Sequence, residues 1–227
     1  VESILDKMNI LSASFIQEFN GIHRAGFGLD GSSGLDFFSP LDVTVDYDVD
    51  NTGTAVVSMT NASPTTVSVD EFEIAFTGSN AFTLNNLTTN ASSGTFTFTT
   101  GSTFNIKDGF AVTISGTAIA GDKVTFSVSE GAASKMSVSS TITANTKKIA
   151  AGTTTNGDGG NALLMAGLQN KLVFNSVTLS SGSGSYTFDE YYNAVVSTIG
   201  IRSFSAQATL RQQEGIMLQL NSRRESI

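Results

Sequence analysis

Residues 41–50 read LDVTVDYDVD, and this stretch decides how the chain is laid out. Leu41, Val43, Val45, Tyr47 and Val49 alternate with Asp42, Thr44, Asp46, Asp48 and Asp50. A period of two sends apolar and polar side chains to opposite faces of a β-strand. The same alternation recurs in TAVVSMT (54–60), EFEIAF (71–76), GTFTFTT (94–100), STFNI (102–106), FAVTIS (110–115), KVTFSVS (123–129) and KMSVSSTI (135–142). Short Thr-, Val- and Phe-rich runs separated by Gly, Asn and Asp turns predict an antiparallel sandwich or barrel over residues 41–146. Asp46, Asp48 and Asp50 share one strand face and point to water.

On the N-terminal side the period changes. Leu5, Met8, Phe15, Phe19 and Ile22, taken with Val1 and Ser12, step by four and three. That is the seam of a coiled coil on an α-helix, whose end Gly21 is expected to fray. On the C-terminal side, AAGTTTNGDGGN (150–161) reads as a turn-rich loop with Asn161 as N-cap for the helix ALLMAGLQNK. VTLSSGSGSYTF (177–188) reads as a loop or hairpin. From Tyr192 the 4-3 stepping resumes through Val196, Ile199, Ser203, Ala206, Leu210, Gln213, Met217 and Leu220. It predicts a helix over 188–224, about 55 Å long at 1.5 Å per residue.

The expected fold is therefore α+β and multidomain: an antiparallel, coiled-coil-like helical stalk (1–40 and 147–227) carrying an inserted all-β antiparallel sandwich or barrel-like domain (41–146). Ser203, Ala206 and Gln213 leave a soft patch in the stalk seam, suited to register choice or to a helix of another chain. Chain ends gathered in a rod suit an assembly subunit better than a compact enzyme.

Composition narrows the function classes. The 227 residues are 40% hydrophobic and only 14% charged, with a formal net charge of −8. Ten acids against three bases in 41–146 put −7 of that charge on the β zone. Nucleic acid and anionic membrane are disfavoured as partners, because phosphate contacts need clustered Lys and Arg. With no Cys there is no disulfide and no thiolate metal site. No apolar run approaches the roughly 18–20 residues of a membrane span. VESILDKMNI lacks the basic start of a signal peptide and begins inside a periodic pattern, as a piece of a longer chain would.

The chemical motifs fail on context. Gly26-Phe-Gly28-Leu-Asp-Gly31 has dinucleotide-loop spacing, but a helix precedes it where a strand is required. A calcium loop starting at Asp46 needs Gly at its sixth position and Glu at its twelfth; Asn51 and Val57 stand there. His23 is the only histidine and has no G-x-S-x-G partner. Asp70, Glu71 and Glu73, or Asp189 and Glu190, resemble a glycosidase pair only in spacing, since there is no Trp and only four Tyr for a sugar platform. Arg223 and Arg224 read as a solvated helix end. No catalytic residue, metal ligand or cofactor site is expected, and no enzyme.

EFNGIHRAGFGLDGSSGLDFF (18–38) resembles the flagellar hook-associated protein 1 family at Asn20, His23, Gly26 or Gly28, Asp30, Gly31, Asp36, Phe37 and Phe38. ANTKKIAAGTTTNGDGGNALLMAGLQN (144–170) and the stretch from Ser185 to Ser226 are similar to later segments of that family, in the same order. The resemblance implies a core fragment, lacking both terminal polymerisation segments, of a structural subunit at the junction of flagellar hook and filament. It further implies export through the flagellar channel without a cleaved signal peptide. Implied partners of the full-length chain are further copies, the hook protein, the next hook-associated protein on the filament side and an export chaperone. The stalk residues would pack in the tube wall, with 23–38 bracing the stalk against an outward β domain. This piece alone is expected to be a monomer. The alternative is a cell-surface or phage-fibre adhesin whose β domain binds glycans.

Overall fold

A computed structural model describes residues 4–61, 67–106, 109–155, 157–174 and 184–225. Val1 and most of the 177–188 loop lie outside these residues. Helix α1 (Ile4–Ala25) opens the chain and passes through Gly21 without fraying. Its buried face is Asn9, Ile10, Ala13, Ser14, Ile16, Asn20 and His23. The heptad stripe predicted for it lies to one side: Leu5 is 64% exposed, and Met8, Phe15, Phe19 and Ile22 are half-buried.

Eight strands follow: β1 (Thr44–Tyr47), β2 (Val56–Asn61), β3 (Phe72–Gly78), β4 (Ala81–Asn86), β5 (Ala91–Thr97), β6 (Thr103–Asn105), β7 (Phe110–Ser115) and β8 (Lys123–Ser127). They form two antiparallel sheets, ordered β1-β8-β3-β4-β5 and β2-β7-β6. Neither sheet closes among the described residues, so the arrangement is a sandwich and not a barrel. Alternation fixes the inward face. Phe72, Ile74 and Phe76 of β3 are buried opposite Leu84 and Phe82 of β4, while Glu73 and Ala75 are only half-covered. Phe110 of the second sheet meets Phe72 and Phe126 of the first, ring centroids 5.6 and 5.0 Å away. Each buried Phe contributes roughly 1.5–3 kcal/mol by leaving water. The Tyr47 hydroxyl spans the open edge, accepting from Val57 N at 2.8 Å and donating to its carbonyl at 3.2 Å.

KMSVSSTI is a correction. Its residues end one short helix, α2 (Ala132–Lys135), and begin another, α3 (Ser140–Ala144), and between them Val138 makes an isolated antiparallel bridge to Phe38. Ser139 caps α3 by accepting from Thr141 N, which outweighs the alternation of Met136 and Val138. Helix α4 (Gly160–Ala166) continues as a 3-10 turn through Asn170. Helix α5 (Phe188–Glu225) runs 38 residues.

One apolar cluster links these parts. It runs from Phe72, Phe110 and Phe126 of the sandwich through Ile10 and Ala13 of α1 to Val173, Phe174, Tyr191 and Val195. Gln17 Nε2 donates to Val67 O at 2.6 Å, and Lys171 Nζ reaches Glu18 Oε2 at 2.5 Å, so α1 is tied on both sides.

Candidate assembly site

The last two turns of α1 hold residues 35–38 with three side chains. Asn20 Oδ1 accepts from Phe37 N and Phe38 N at 3.0 and 2.9 Å, and its Nδ2 donates to Phe38 O at 3.0 Å. Arg24 grips Asp36 through Nε–Oδ1 at 2.5 Å and Nη2–Oδ2 at 2.6 Å, a bidentate fork. His23, fully buried, lies between two backbone segments. Ala150 N donates to Nε2 at 2.9 Å, and Nδ1 lies 2.7 Å from Leu35 O. A carbonyl can only accept, so Nδ1 carries the proton. Both ring nitrogens are thereby committed to backbone, and neither is available as a catalytic base.

The next bracket joins 26–32 to 145–161. Phe27 and Gly152 exchange backbone bonds at 2.8 and 3.1 Å, and Leu29 N donates to Lys147 O at 2.7 Å. Asn161, expected to cap α4, is turned inward instead: its Nδ2 donates to Ile22 O at 3.1 Å and Ala150 O at 2.6 Å. Gly26 and Gly28 are required by this approach. A Cβ at Gly26 would run into the Asn161 amide, and one at Gly28 would lie 2.6 Å from Lys147 O. Asp30 closes the turn on Ser32 N at 3.0 Å and Oγ at 2.6 Å, and accepts from Asn145 Nδ2 at 3.3 Å. The Ser32 hydroxyl and amide hold its carboxyl below the ordinary range. Gly31 takes a left-handed φ of 80° and donates to Gly28 O at 3.0 Å.

Asp158 organises the loop that presents Asn161. It accepts from Thr153 N at 2.8 Å, Thr154 Oγ1 at 2.7 Å and Gly160 N at 2.9 Å, which hold its carboxyl far below the ordinary range. Arg24, Ala150, Asp158 and the inward role of Asn161 escaped sequence reading. The spacing of Arg24 and Asp36 around the predicted turn was the available signal for that pair.

An aromatic cluster covers the outer side of this clamp. Phe19 meets Phe37 at 5.0 Å and Phe38 at 5.2 Å; Phe15 meets Phe38 at 5.7 Å and Phe188 at 5.5 Å. Phe188 turns its edge to Phe174, on which Tyr191 stacks at 4.2 Å. The Tyr191 hydroxyl reaches Lys7 O at 3.4 Å. Thus α5 meets α1 through Phe188, Tyr191 and Val195. The stripe predicted to do so, Tyr192, Val196, Ile199, Ala206, Leu210, Met217 and Leu220, faces solvent, with 41–57% exposure at its large apolar members. The pairing is offset by one residue, because Tyr191 and Val195 point at Phe174 and α1.

Four carboxylates, Asp6 of α1, Asp46 of β1, Glu71 just before β3 and Glu130 after β8, line a cavity of about 480 Å³ between α1 and the five-stranded sheet. Burial first, then Asp46, raises Glu130; burial first, then Asp6 and Asp46, raises Glu71. Among the described residues no three His, Cys, Asp or Glu converge to hold a metal, and no helix is long and apolar enough to cross a membrane. The described residues thus set a hydrogen-bonded clamp (Asn20, His23, Arg24 and Asn161) beside a helix, α5, whose described residues beyond Val195 are exposed except Thr198.

No protein-family model matches the chain. It is 27% identical over 218 residues to flagellar hook-associated protein 1 of Escherichia coli, covering 96% of this chain and 38% of that protein. It is also 27% identical over 229 residues to the protein of the same name from Salmonella typhimurium, with the same coverage. It spans 38% of the length of these relatives. Among solved structures, the flagellar hook junction protein FlgK from Burkholderia pseudomallei matches at a TM-score of 0.52 and 27% identity, over 65% of this chain and 26% of that one. In sequence over nearly its whole length, and in fold over most of it, this chain is similar to flagellar hook-associated protein 1.

Proposed function

We propose that the chain is the core of a structural, non-enzymatic subunit at the junction between hook and filament of a bacterial flagellum. One observation carries the reading: the similarity to flagellar hook-associated protein 1 covers 96% of the chain. The geometry supports it, since within the first resembling segment Asn20 of α1 holds Phe37 and Phe38, and His23 and Ile22 of α1 are bonded to Ala150 and Asn161 of the second. Tyr191 of the third is stacked beside them.

In this reading the chain is divided into a discontinuous helical domain (1–40 and 147–227) and a β domain (41–146). The helices form a coiled-coil-like stalk in the tube wall: Leu5, Met8, Phe15, Phe19 and Ile22 contribute from α1, and Tyr192 to Leu220 from α5. The clamp sets the angle at which the sandwich projects outward. Assembly adds copies of the full-length chain to the hook protein on one side and to the next hook-associated protein on the other, after export with its chaperone to the cell exterior.

Deleting the gene tests this. Cells are expected to keep hooks and lose filaments; cells with normal filaments would overturn the reading.

A further inference from the structure

Two buried donors line the cavity between α1 and the five-stranded sheet without an acceptor among the described residues. The first is the Asn9 amide, on a residue only 5% exposed. Its Oδ1 accepts from Ala133 N at 3.2 Å, which fixes the orientation of the amide; its Nδ2 has no hydrogen-bond partner among the described residues. The second is the Ser129 hydroxyl, on a residue 6% exposed. Ser127 Oγ accepts from Ser129 N and Glu130 N at 3.1 Å each, so both of its lone pairs are filled. Its own proton therefore goes to Ser129 Oγ, 3.1 Å away, and the Ser129 proton is left over. Native chains seldom leave buried donors in this state, and these two ask for an oxygen from outside.

The same cavity asks for a positive charge. Asp6, Asp46, Glu71 and Glu130 line it, and none of its lining residues is basic. Lys135 acts on Glu130 from α2. Among the described residues no three carboxylates converge as a metal ion requires, so the cation they suit is larger than a bare ion. Asp6 stands three residues before Asn9 on α1, one turn away on the same face, with Cβ atoms about 5–6 Å apart. A matching ligand thus carries an ammonium and a neutral oxygen acceptor close together.

We propose that this cavity binds the free N-terminus of another polypeptide, with its α-ammonium among the carboxylates and its first carbonyl oxygen on Asn9 Nδ2 and Ser129 Oγ. In a chain N-terminus those two groups are fixed roughly 3 Å apart by covalent geometry. Chain ends are a recurrent object of recognition for this reason. A lysine side chain brings the charge without an acceptor beside it, and an internal amide brings the acceptor without the charge. Ile10, Leu87 and Phe126 supply apolar wall, which suits an apolar first side chain. The proposal does not rest on the flagellar reading.

The probes are valyl-glycyl-glycinamide, the same peptide acetylated at its amine, and butylamine, each titrated into the ¹⁵N-labelled chain at pH 7 and low salt. The free peptide is expected to saturate at millimolar concentration and to move the side-chain NH₂ signals of Asn9. The acetylated peptide and butylamine are each expected to bind at least about tenfold more weakly. Glu71→Gln with Glu130→Gln is expected to weaken the free peptide by at least about tenfold. Asn9→Asp keeps the acceptor for Ala133 N and removes the amide donors, so it is expected to abolish the preference of the site for the peptide over butylamine. Four results would each overturn the proposal: no saturation by the free peptide, Asn9 signals that stay in place, an acetylated peptide or butylamine that binds as tightly, or an Asn9→Asp chain that keeps the preference.

Discussion

Gly21 and Gly26 sit five residues apart near the end of α1 and face opposite demands. Gly21 has nothing within 4 Å of a would-be Cβ and lies inside the helix, so Gly21→Ala is expected to stabilise the chain by about 0.5–1 kcal/mol. Gly26→Ala is expected to destabilise it by about 1–3 kcal/mol, since the new methyl meets Asn161 and, at 2.9 Å, Ala150 O. Urea titration of both variants checks the contrast, and Asn161→Gly in the Gly26→Ala background should recover part of the loss. Asn20→Ala leaves the Phe37 and Phe38 amides and the Phe38 carbonyl without their partner; a loss of about 2 kcal/mol is expected in the same assay. The glycine spacing was visible in sequence as a false nucleotide fingerprint. Its real cause, the approach of a backbone more than a hundred residues downstream, has no local signature.

At the scale of elements, α5 is anchored by its first two turns. Removing the stacked ring with Tyr191→Ala is expected to cost about 3–5 kcal/mol and to release the helix from Phe174, read as lost near-ultraviolet signal and lower melting temperature. The existence of α1 and α5 and their approximate limits could be read from heptad stepping, and most strands from alternation. The faces could not. Four of the seven buried residues of α1 are polar (Asn9, Ser14, Asn20 and His23), so counting apolar residues selects the neighbouring stripe. For α5 the 4-3 stepping picks out residues that are exposed, as Ile201, Phe204 and Leu218 beside them are, while the contact to α1 is made one residue away, at Tyr191 and Val195. β4 escaped notice because Asn85 and Asn86 interrupt its pattern; they are held by Glu73 and Asp70 side chains across the sheet. Asp46, Asp48 and Asp50 are exposed as read, although only Asp46 lies in the strand.

For the whole molecule, two sets of carboxyls respond to acid with opposite sign. Glu71 and Glu130 are raised, so the folded state takes up protons before the unfolded chain does. Their contribution is fully present below the unfolded Glu value of about 4.3 and is lost as pH rises through the raised values. The groups facing them are Asp6 on α1, Asp46 on β1 and the Lys135 cation on α2. Asp122, which accepts from the amides of Thr52, Gly53 and Ile119, and Asp30 and Asp158 are lowered. Their stabilisation is present above the unfolded Asp value of about 3.9 and is lost as pH falls through the lowered ones. Thermal melts across pH should therefore peak on the acid side of neutrality, and Glu71→Gln with Glu130→Gln should raise the melting temperature at pH 7 while flattening the rise. The bridge at His23 has a consequence of a different kind, in time. Its two backbone partners, Leu35 and Ala150, lie 12 and 127 residues away, so the second bond closes a loop that contains the whole sandwich. Contacts of such long range carry a loop-closure cost before they return anything, and they slow folding. The clamp is then the last part to form, and stopped-flow refolding should show sandwich fluorescence and circular dichroism recovering ahead of the Phe27–Gly152 and His23–Ala150 amides in pulsed hydrogen exchange. A chain built this way stays open at its joint until its strands are in place.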